Sequence, residues 1–221
     1  MLKTAVLTSI TVGALALGAP PAQADTIDGT NGADLLFGTS GQDFIRGFDG
    51  NDEIRGLRGS DELRGGDGDD LLVAGKGRFS YMFGGAGDDT VMGGSDVNSE
   101  AAGGYGNDYL SGGDGQDGFD GSLGQDVMLG FSGGDFFEPG YGADTVRAGK
   151  GGDYVFLFTD DTATKGSAKD VIDCGSGEDR VFFPLGGKVD PRDEFVGCEH
   201  FGNARNAQLQ KTPEPTLGSG S

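Results

Sequence analysis

The sequence predicts an all-β fold, a β-solenoid in which very short strands stack on one another. Three observations predict it. A nine-residue period runs through most of the 221-residue chain, its eighth position is nearly always apolar, and its first half is rich in Gly and Asp. A single unit cannot bury its one apolar residue alone, whereas stacked units form a continuous narrow core.

Residues 1–24 predict a secretory signal peptide. Lys3 supplies a positive charge, residues 4–18 are mostly small and apolar, and Ala22 and Ala24 form an A-x-A cleavage site. The apolar stretch is too short for a membrane anchor, and no second stretch approaches membrane length. We therefore expect a secreted, extracellular mature chain that begins near Asp25 and has no membrane span.

The composition is acidic and rich in glycine, with 46 Gly, 35% hydrophobic residues and a formal net charge of -20. Such a composition taken alone is compatible with disorder. A charge of this sign opposes binding to nucleic acid and to anionic membranes, and it favours cations. If the chain folds compactly, cations must neutralise the carboxylates, so the sequence predicts cation partners and no nucleic acid.

The repeat units hold their register across long stretches. The first five, from Gly29, are GTNGADLLF, GTSGQDFIR, GFDGNDEIR, GLRGSDELR and GGDGDDLLV. Regular units cover 103–156 without a gap, and two more follow an eight-residue insertion at 157–164. With two disturbed units the total is sixteen, of which fourteen have Asp at position six and fifteen have an apolar residue at position eight. A disordered linker would not keep these positions aligned, so the period outweighs the composition.

Each position of the unit has a physical role. Gly at positions one, two and four lets the turn adopt backbone conformations closed to other residues and lets carbonyl oxygens converge. Asp at position six adds a negative oxygen, and positions seven to nine form a strand in which only position eight points inward. Oxygen-only coordination by flexible turns suits a hard cation, and it suits Ca²⁺ better than Mg²⁺.

The pattern G-G-x-G-x-D-x-U-x, where U is apolar, resembles the RTX, or haemolysin-type, calcium-binding repeat. The resemblance covers roughly 27–183. It implies a right-handed parallel β-roll of about sixteen nonapeptide units, two per coil, with multiple Ca²⁺ ions between the turns stacked along each edge. It also implies that the ligands are turn carbonyls and the position-six carboxylates. Those aspartates are Asp34, Asp43, Asp52, Asp61, Asp70, Asp89, Asp108, Asp117, Asp126, Asp135, Asp144, Asp153, Asp170 and Asp179.

Two units depart from the pattern and run to ten residues. The sixth unit has Phe79 at the Asp position and the eighth has Asn98 there, so both faults lie on the even-numbered edge. We expect that edge to lose ions around them and to bulge, with Phe79, Tyr81 and Phe83 partly exposed. A partner-binding patch and drift in a tolerant repeat array are alternative explanations. The odd-numbered edge is expected to be an unbroken calcium ladder along Asp34, Asp52, Asp70, Asp89, Asp108, Asp126 and Asp144.

The C-terminal region is expected to close the stack. The β-roll is assigned to 25–183, a C-terminal cap to 184–202, and a disordered tail to 203–221. The cap segment departs from the period but keeps apolar Phe195 and Phe201. An even cysteine count in an exported chain favours a Cys174–Cys198 disulfide over two free thiols, and this bridge would fix the cap to the last coil.

No catalytic residue is predicted. His200 is the single histidine, and Ser132 lies in a G-x-S-x-G match inside a repeat turn, where the strand–turn–helix setting of a nucleophile elbow is not expected. We therefore expect a secreted structural, adhesive or ligand-binding module, not an enzyme. An unidentified protein or a surface polysaccharide is left open as its partner. The alternative is a secreted enzyme, or an enzyme accessory protein, that acts on polysaccharide or lipid.

Overall fold

The computed structural model describes residues 24–94, 98–157, 169–183, 191–203 and 206–211. These residues form twenty β-strands and no helix. The described part of the chain therefore offers no apolar helix of the length that a membrane crossing needs. The predicted signal peptide up to residue 23, and most of the predicted insertion, lie outside the described residues.

The strands form two sheets, and the larger has eleven strands. Its strands are β1 (Thr26–Asp28), β3 (Phe44–Asp49), β5 (Glu62–Asp67), β7 (Phe79–Ala86), β9 (Asn98–Tyr105), β11 (Gly118–Leu123), β13 (Phe136–Glu138), β15 (Tyr154–Phe156), β17 (Arg180–Phe183), β19 (His200–Asn203) and β20 (Asn206–Lys211). Neighbouring strands are parallel, except that β20 runs antiparallel to β19.

The second sheet has nine strands, all parallel. They are β2 (Leu35–Phe37), β4 (Glu53–Arg55), β6 (Leu71–Val73), β8 (Thr90–Met92), β10 (Tyr109–Ser111), β12 (Val127–Leu129), β14 (Thr145–Arg147), β16 (Val171–Asp173) and β18 (Glu194–Val196). Because successive strands alternate between the sheets, each coil contains two units. The predicted all-β solenoid with parallel sheets is confirmed.

The core is one side chain wide at each strand. Within β4, only the central residue, Ile54, is buried, and it pairs in register with Leu36 and Leu72 of the adjacent coils. Fifteen position-eight side chains are at most 3% exposed. They are Ile45, Ile54, Leu63, Leu72, Met82, Val91, Ala101, Leu110, Phe119, Met128, Phe137, Val146, Val155, Ile172 and Val181. This arrangement buries little apolar surface per residue, so the turns must contribute much of the stability.

The segment predicted as a cap contains two further strands. β18 pairs with β16, and β19 pairs with β17, so both sheets continue past the last Gly-rich unit. Phe195 and Phe201 take the inward position, and their rings lie 5.4 Å apart between centroids. With β1 at the other end, the structure has three more parallel strands than the sixteen predicted units. The D-x-U-x half of a unit is sufficient for a strand to pair.

The predicted disulfide is confirmed. Cys174 and Cys198 are joined by an S–S bond of 2.01 Å, which links the residue after β16 to the connection between β18 and β19. The prediction that residues 203–221 form a disordered tail is wrong for Asn206–Lys211, because these residues form β20 and pair with the edge strand β19. An open strand edge offers free N–H and C=O groups to such a segment. Residues 212–221 lie outside the described part.

Candidate metal centres

Glycine sets the shape of the turn that precedes each strand. In the turn between β5 and β6, Gly66 and Gly68 both have φ 131°, which disfavours other residues. A Cβ atom on Gly66 would also run into the carbonyl oxygen of Phe48 in the preceding coil. Phe48 occupies the same turn position and adopts φ 84° despite its side chain. The turns therefore stack with their backbones in contact.

Position-six aspartates form a continuous column along one edge, which we call the odd column. The backbone N–H of Asp34 donates to Asp52 Oδ1 at 2.8 Å, and the same bond repeats coil after coil. The insertion does not displace Asp170, because the N–H of Asp144 donates to its Oδ1 at 3.0 Å. The carboxylates of the predicted calcium ladder are therefore continuous, and calcium along them stays a prediction. The column comprises Asp34, Asp52, Asp70, Asp89, Asp108, Asp126, Asp144, Asp170 and Asp193.

The opposite edge carries a second column, the even column, which two serines interrupt. The N–H of Asp61 faces Ser80 Oγ at 3.4 Å, and the N–H of Ser99 donates to Asp117 Oδ1 at 2.7 Å. Its carboxylates thus fall into two groups separated by two coils. In chain order the column is Asp25, Asp43, Asp61, Ser80, Ser99, Asp117, Asp135, Asp153, Asp179 and Glu199.

The assignment of Phe79 and Asn98 to the aspartate position was wrong by one residue. The two pair with each other at the start of β7 and β9, one position before Ser80 and Ser99. Asn98 Oδ1 accepts from the N–H of Gln116 at 3.0 Å, as a position-five side chain does elsewhere. The extra residue of the sixth unit is accommodated in the turn before β7, because the inward residue, Met82, must stay buried.

The aromatic residues of the sixth unit lie at the surface, as predicted. Tyr81 is 43% exposed and Phe83 is 41% exposed, while Phe79 is half-buried and packs edge-on against Tyr81 at 4.6 Å between centroids. Instead of a local bulge, the two ten-residue units stack as the eight-residue strands β7 and β9, which remain paired along their length.

The second carboxylate oxygen, Oδ2, is the unusual atom of these columns. In ten of the fourteen predicted aspartates it is buried and has no hydrogen-bond partner among the described residues. Buried polar atoms are nearly always hydrogen-bonded, so a repeated set of exceptions indicates a missing ligand. The ten residues are Asp52, Asp61, Asp70, Asp89, Asp108, Asp126, Asp135, Asp144, Asp153 and Asp179.

Seven of these oxygens face a space that the glycine at position one of the same unit leaves open, and the other three units have Pro, Ala or Cys at that position. A Cβ atom on Gly47 would run into Asp52 Oδ2 and would lie 2.7 Å from the carbonyl oxygen of Gly65 in the next coil. A Cβ atom on Gly56 would likewise meet Asp61 Oδ2 and would lie 2.7 Å from Ala74 O. A carboxylate and a carbonyl from adjacent coils therefore converge, and the residues present fit a cation held between coils.

Three predicted aspartates use Oδ2 within their own turn. The backbone N–H groups of Thr30, Thr39 and Gly113 donate to the carboxylates four residues later, at 2.5, 2.6 and 2.9 Å. The acceptors are Asp34, Asp43 and Asp117. Asp170 takes its place in the odd column through Oδ1.

Burial raises the pKa of ten of the column aspartates. It brings the pKa of Asp89, Asp126 and Asp135 to about 7, and that of Asp61 and Asp179 to about 6. Desolvation is the main cause. The hydrogen bond from the preceding aspartate's N–H opposes it, and neighbouring carboxylates add to it. Ionised carboxylates are therefore unfavourable in this fold unless a cation accompanies them.

The donor set favours a hard cation. No group of three His, Cys, Asp or Glu side chains converges anywhere in the described part of the chain. A column aspartate instead supplies a carboxylate oxygen near a turn carbonyl oxygen, as Asp52 does beside Gly65 O and Asp61 beside Ala74 O. Oxygen-only sets suit Ca²⁺ and Mg²⁺ rather than Zn²⁺ or copper, and a flexible turn suits the variable coordination of Ca²⁺.

Comparison with known proteins agrees with this geometry. The family model described as RTX calcium-binding nonapeptide repeat (4 copies) matches residues 22–45, 46–78, 80–100, 98–128 and 129–157. These segments together cover more than half of the chain. The chain belongs to the RTX calcium-binding repeat family. No curated protein matches the chain. The RTX segments include every predicted ligand from Asp34 to Asp153, and Asp170 and Asp179 follow them.

Three column members were missed by the sequence reasoning. Asp25, Asp193 and Glu199 each precede a strand and occupy position six, where they accept or donate the same backbone hydrogen bond. Their local sequences, DTID, DEFV and EHFG, keep the D/E-x-U-x half of the RTX unit without its Gly-rich half. A search for that half alone would have found them.

The structure does not bring together the residues of the G-x-S-x-G match and the histidine. Ser132 lies in the turn between β12 and β13, where it bridges to Lys150. His200 lies in β19, three coils further along the stack, or about 14 Å at ordinary strand spacing. Its Nε2 lies 3.0 Å from Glu178 Oε2.

Proposed function

We propose that this RTX-repeat protein is a secreted calcium-binding structural module, without enzymatic activity, whose folding is coupled to Ca²⁺ binding. The observation that carries the proposal is the set of buried carboxylate oxygens that have no hydrogen-bond partner in the described structure, five of which lie near a turn carbonyl of the next coil. A buried, unpaired anion is costly, and Ca²⁺ would remove that cost at every level of the stack.

Folding is coupled to ion binding because the apolar core alone is too small to overcome the repulsion between the carboxylates. The apolar core contributes one side chain per strand, and the chain carries a formal net charge of -20. Without cations, the carboxylates of each column repel those of the adjacent coils. In the unfolded chain the carboxylate and carbonyl ligands of one site are a full coil apart in sequence, so binding energy becomes folding energy.

Secretion fits this chemistry. Extracellular calcium modules bind in the range of about 10⁻⁴ to 10⁻³ M, where free Ca²⁺ outside cells is sufficient. The Cys174–Cys198 disulfide suits an oxidising compartment, and residues 1–24 have the charge, apolar stretch and cleavage site of an export signal. The chain would remain unfolded where calcium is scarce and fold where it is abundant.

The two edges are proposed to load calcium differently. The odd column offers carboxylates at every level, whereas Ser80 and Ser99 remove the charged ligand from two consecutive levels of the even column. We propose that calcium is absent beside these serines. Replacing both, Ser80→Asp and Ser99→Asp, should increase the number of bound ions. An unchanged number would contradict this part of the proposal.

A calcium titration of the chain from Asp25 onward, followed by far-UV circular dichroism, tests the proposal. After chelation we expect a disordered spectrum that changes cooperatively to a β-spectrum on addition of Ca²⁺. Mg²⁺ serves as the control and should be much less effective. A spectrum that millimolar calcium does not change would show that the columns are not working ion sites.

A further inference from the structure

The outer face of the eleven-stranded sheet carries an open cleft of about 500 Å³ across β7, β9, β11 and β13. Phe79 and Phe83 form one wall and Phe136 forms the other. Between them, the outward positions are occupied by Ala102 and Gly118, which leave the sheet surface low. The cleft therefore results from two small residues between aromatic neighbours.

The cleft is acidic and has no basic residue of its own. Glu100, Asp120 and Glu138 line it, and its described lining contains no Lys, Arg or His. Asp120 and Glu138 are register partners on adjacent strands, and Asp120 Oδ1 accepts from Ser122 Oγ at 2.9 Å. Within the described residues, neither Glu100 nor Glu138 takes part in an ion pair or a hydrogen bond. Three carboxylates thus face one space without a counter-charge.

Elsewhere on the same sheet face, similar surroundings hold arginine. Arg46 Nε lies 2.8 Å from Asp28 Oδ1, and its Cζ lies 5.1 Å from the centroid of the Phe44 ring. Arg64 Cζ lies 5.2 Å from the Phe44 centroid and 5.5 Å from that of Phe83. In register, Phe83 lies between Arg64 and Ala102, so Arg64 contacts this ring from the side away from the cleft floor. The cleft combines aromatic rings and carboxylates in the same way, and no arginine is among its described lining residues.

We propose that the cleft binds an arginine side chain of a basic peptide or protein partner. A guanidinium can stack on a Phe ring and form a bidentate pair with a carboxylate at the same time, which an ammonium group cannot do. The net charge of -20 would also attract a basic partner over a longer range. The ligand class is thus a cationic, planar side chain.

Titration calorimetry with acetyl-triarginine amide tests the proposal. The chain from Asp25 onward is used under whichever ion condition gives the β-spectrum, so the test does not depend on calcium-coupled folding. The neutral isostere, acetyl-tricitrulline amide, is the ligand control. We expect binding of the arginine peptide only, and equal binding of the two peptides would overturn the proposal.

Matched variants separate the cleft from general attraction to an acidic protein. Glu100→Gln with Glu138→Gln should weaken binding about tenfold or more, since charge-assisted hydrogen bonds are lost. Asp67→Asn with Asp114→Asn removes the same charge from exposed sites elsewhere and should change the affinity less than about twofold.

A third variant, Ala102→Phe, fills the cleft without changing any charge, and it should abolish binding. Equal weakening by the two charge pairs, or full binding by Ala102→Phe, would show that the attraction is diffuse and would overturn the proposal. The circular dichroism spectrum of each variant under the binding conditions should match that of the unsubstituted chain. This control distinguishes loss of the binding cleft from loss of the fold.

Discussion

Replacing Asp126 by asparagine should have opposite effects with and without calcium. Asp126 belongs to the odd column, is 1% exposed, and accepts from the N–H of Asp108 at 2.8 Å through Oδ1. An asparagine keeps that acceptor. Its Nδ2 would replace Oδ2, which lies beside the carbonyl oxygen of Pro139, and it could donate to that carbonyl. The substitution therefore removes a charged ion ligand but satisfies the ion-free turn.

The magnitude without calcium follows from the titration of the carboxyl group. Burial raises the pKa of Asp126 from 3.8 to about 7. In the ion-free fold at pH 7 this rise corresponds to about 4 kcal/mol of lost stability, which asparagine would restore. With calcium, the loss of one charged ligand should raise the calcium concentration at the folding midpoint, by a modest factor because a single folding transition takes up many ions.

Two titrations of the same variant measure the two effects. In chelator, the osmolyte trimethylamine N-oxide promotes folding, and its midpoint concentration reports the stability of the ion-free state. In buffer without osmolyte, a calcium titration reports the coupled state. Asp114→Asn is the matched control, because Asp114 is exposed and lies outside both columns.

The reasoning predicts a lower osmolyte midpoint and a higher calcium midpoint for Asp126→Asn, with neither changed for Asp114→Asn. A variant that needs more osmolyte in chelator would refute it. Such a result would mean that the carboxylate stabilises the fold as a hydrogen-bond acceptor and not as an ion ligand.

Three further predictions concern the turns and the C-terminal end. Because burial raises the pKa of Asp135 to about 7, the ion-free fold binds more protons than the unfolded chain, so lowering the pH from about 8 to about 6 should stabilise the ion-free fold. Osmolyte titrations in chelator at several pH values measure this, and an osmolyte midpoint that rises as the pH falls would contradict it. Gly47→Ala should raise the calcium midpoint, because its Cβ would fill the space beside Asp52 Oδ2. Gly32→Ala is the control, since its Cβ would meet nothing within 4 Å and should leave the calcium midpoint unchanged. Equal midpoints for the two variants would show that no ion lies beside Gly47. Replacing Cys174 and Cys198 by alanine should lower the free energy of unfolding, measured in urea with calcium present, by about 3 kcal/mol. The calcium-induced β-spectrum should remain. Loss of that spectrum would mean that the disulfide stabilises more of the stack than the last coils.

The sequence was most informative where one residue position has one physical role. Ile54, as an example of position eight, is apolar because it is the inward side chain of its strand, and Asp52, as an example of position six, places a carboxylate in the turn. The repetition of these roles predicts the stack. The resemblance to the RTX repeat adds the two units per coil, and with them the odd column.

The ten-residue units show where counting along the sequence fails. Counting from the start of the sixth unit places Phe79 at the aspartate position, whereas counting back from the inward residue, Met82, gives Ser80. The buried residue fixes the register, because moving it by one position would expose it. The extra residue must therefore lie in the turn.

Other features required the three-dimensional arrangement. Ala102 and Gly118 are unremarkable in the sequence, and they form the floor of a cleft only because adjacent coils bring their strands side by side. The strands β18 and β19 follow segments without the Gly-rich half of the unit, so a search for the full pattern ends before them. Pairing with an existing sheet edge stabilises these two strands, although no Gly-rich turn precedes them.

The central claim is that calcium occupies two columns of different continuity. A crystal structure of the chain from Asp25 onward, grown with calcium and analysed for anomalous scattering, tests it directly. The account predicts two rows of peaks beside the Asp Oδ2 atoms, one continuous and one with a gap at Ser80 and Ser99. Peaks located away from the columns, or an even row with no gap, would contradict it.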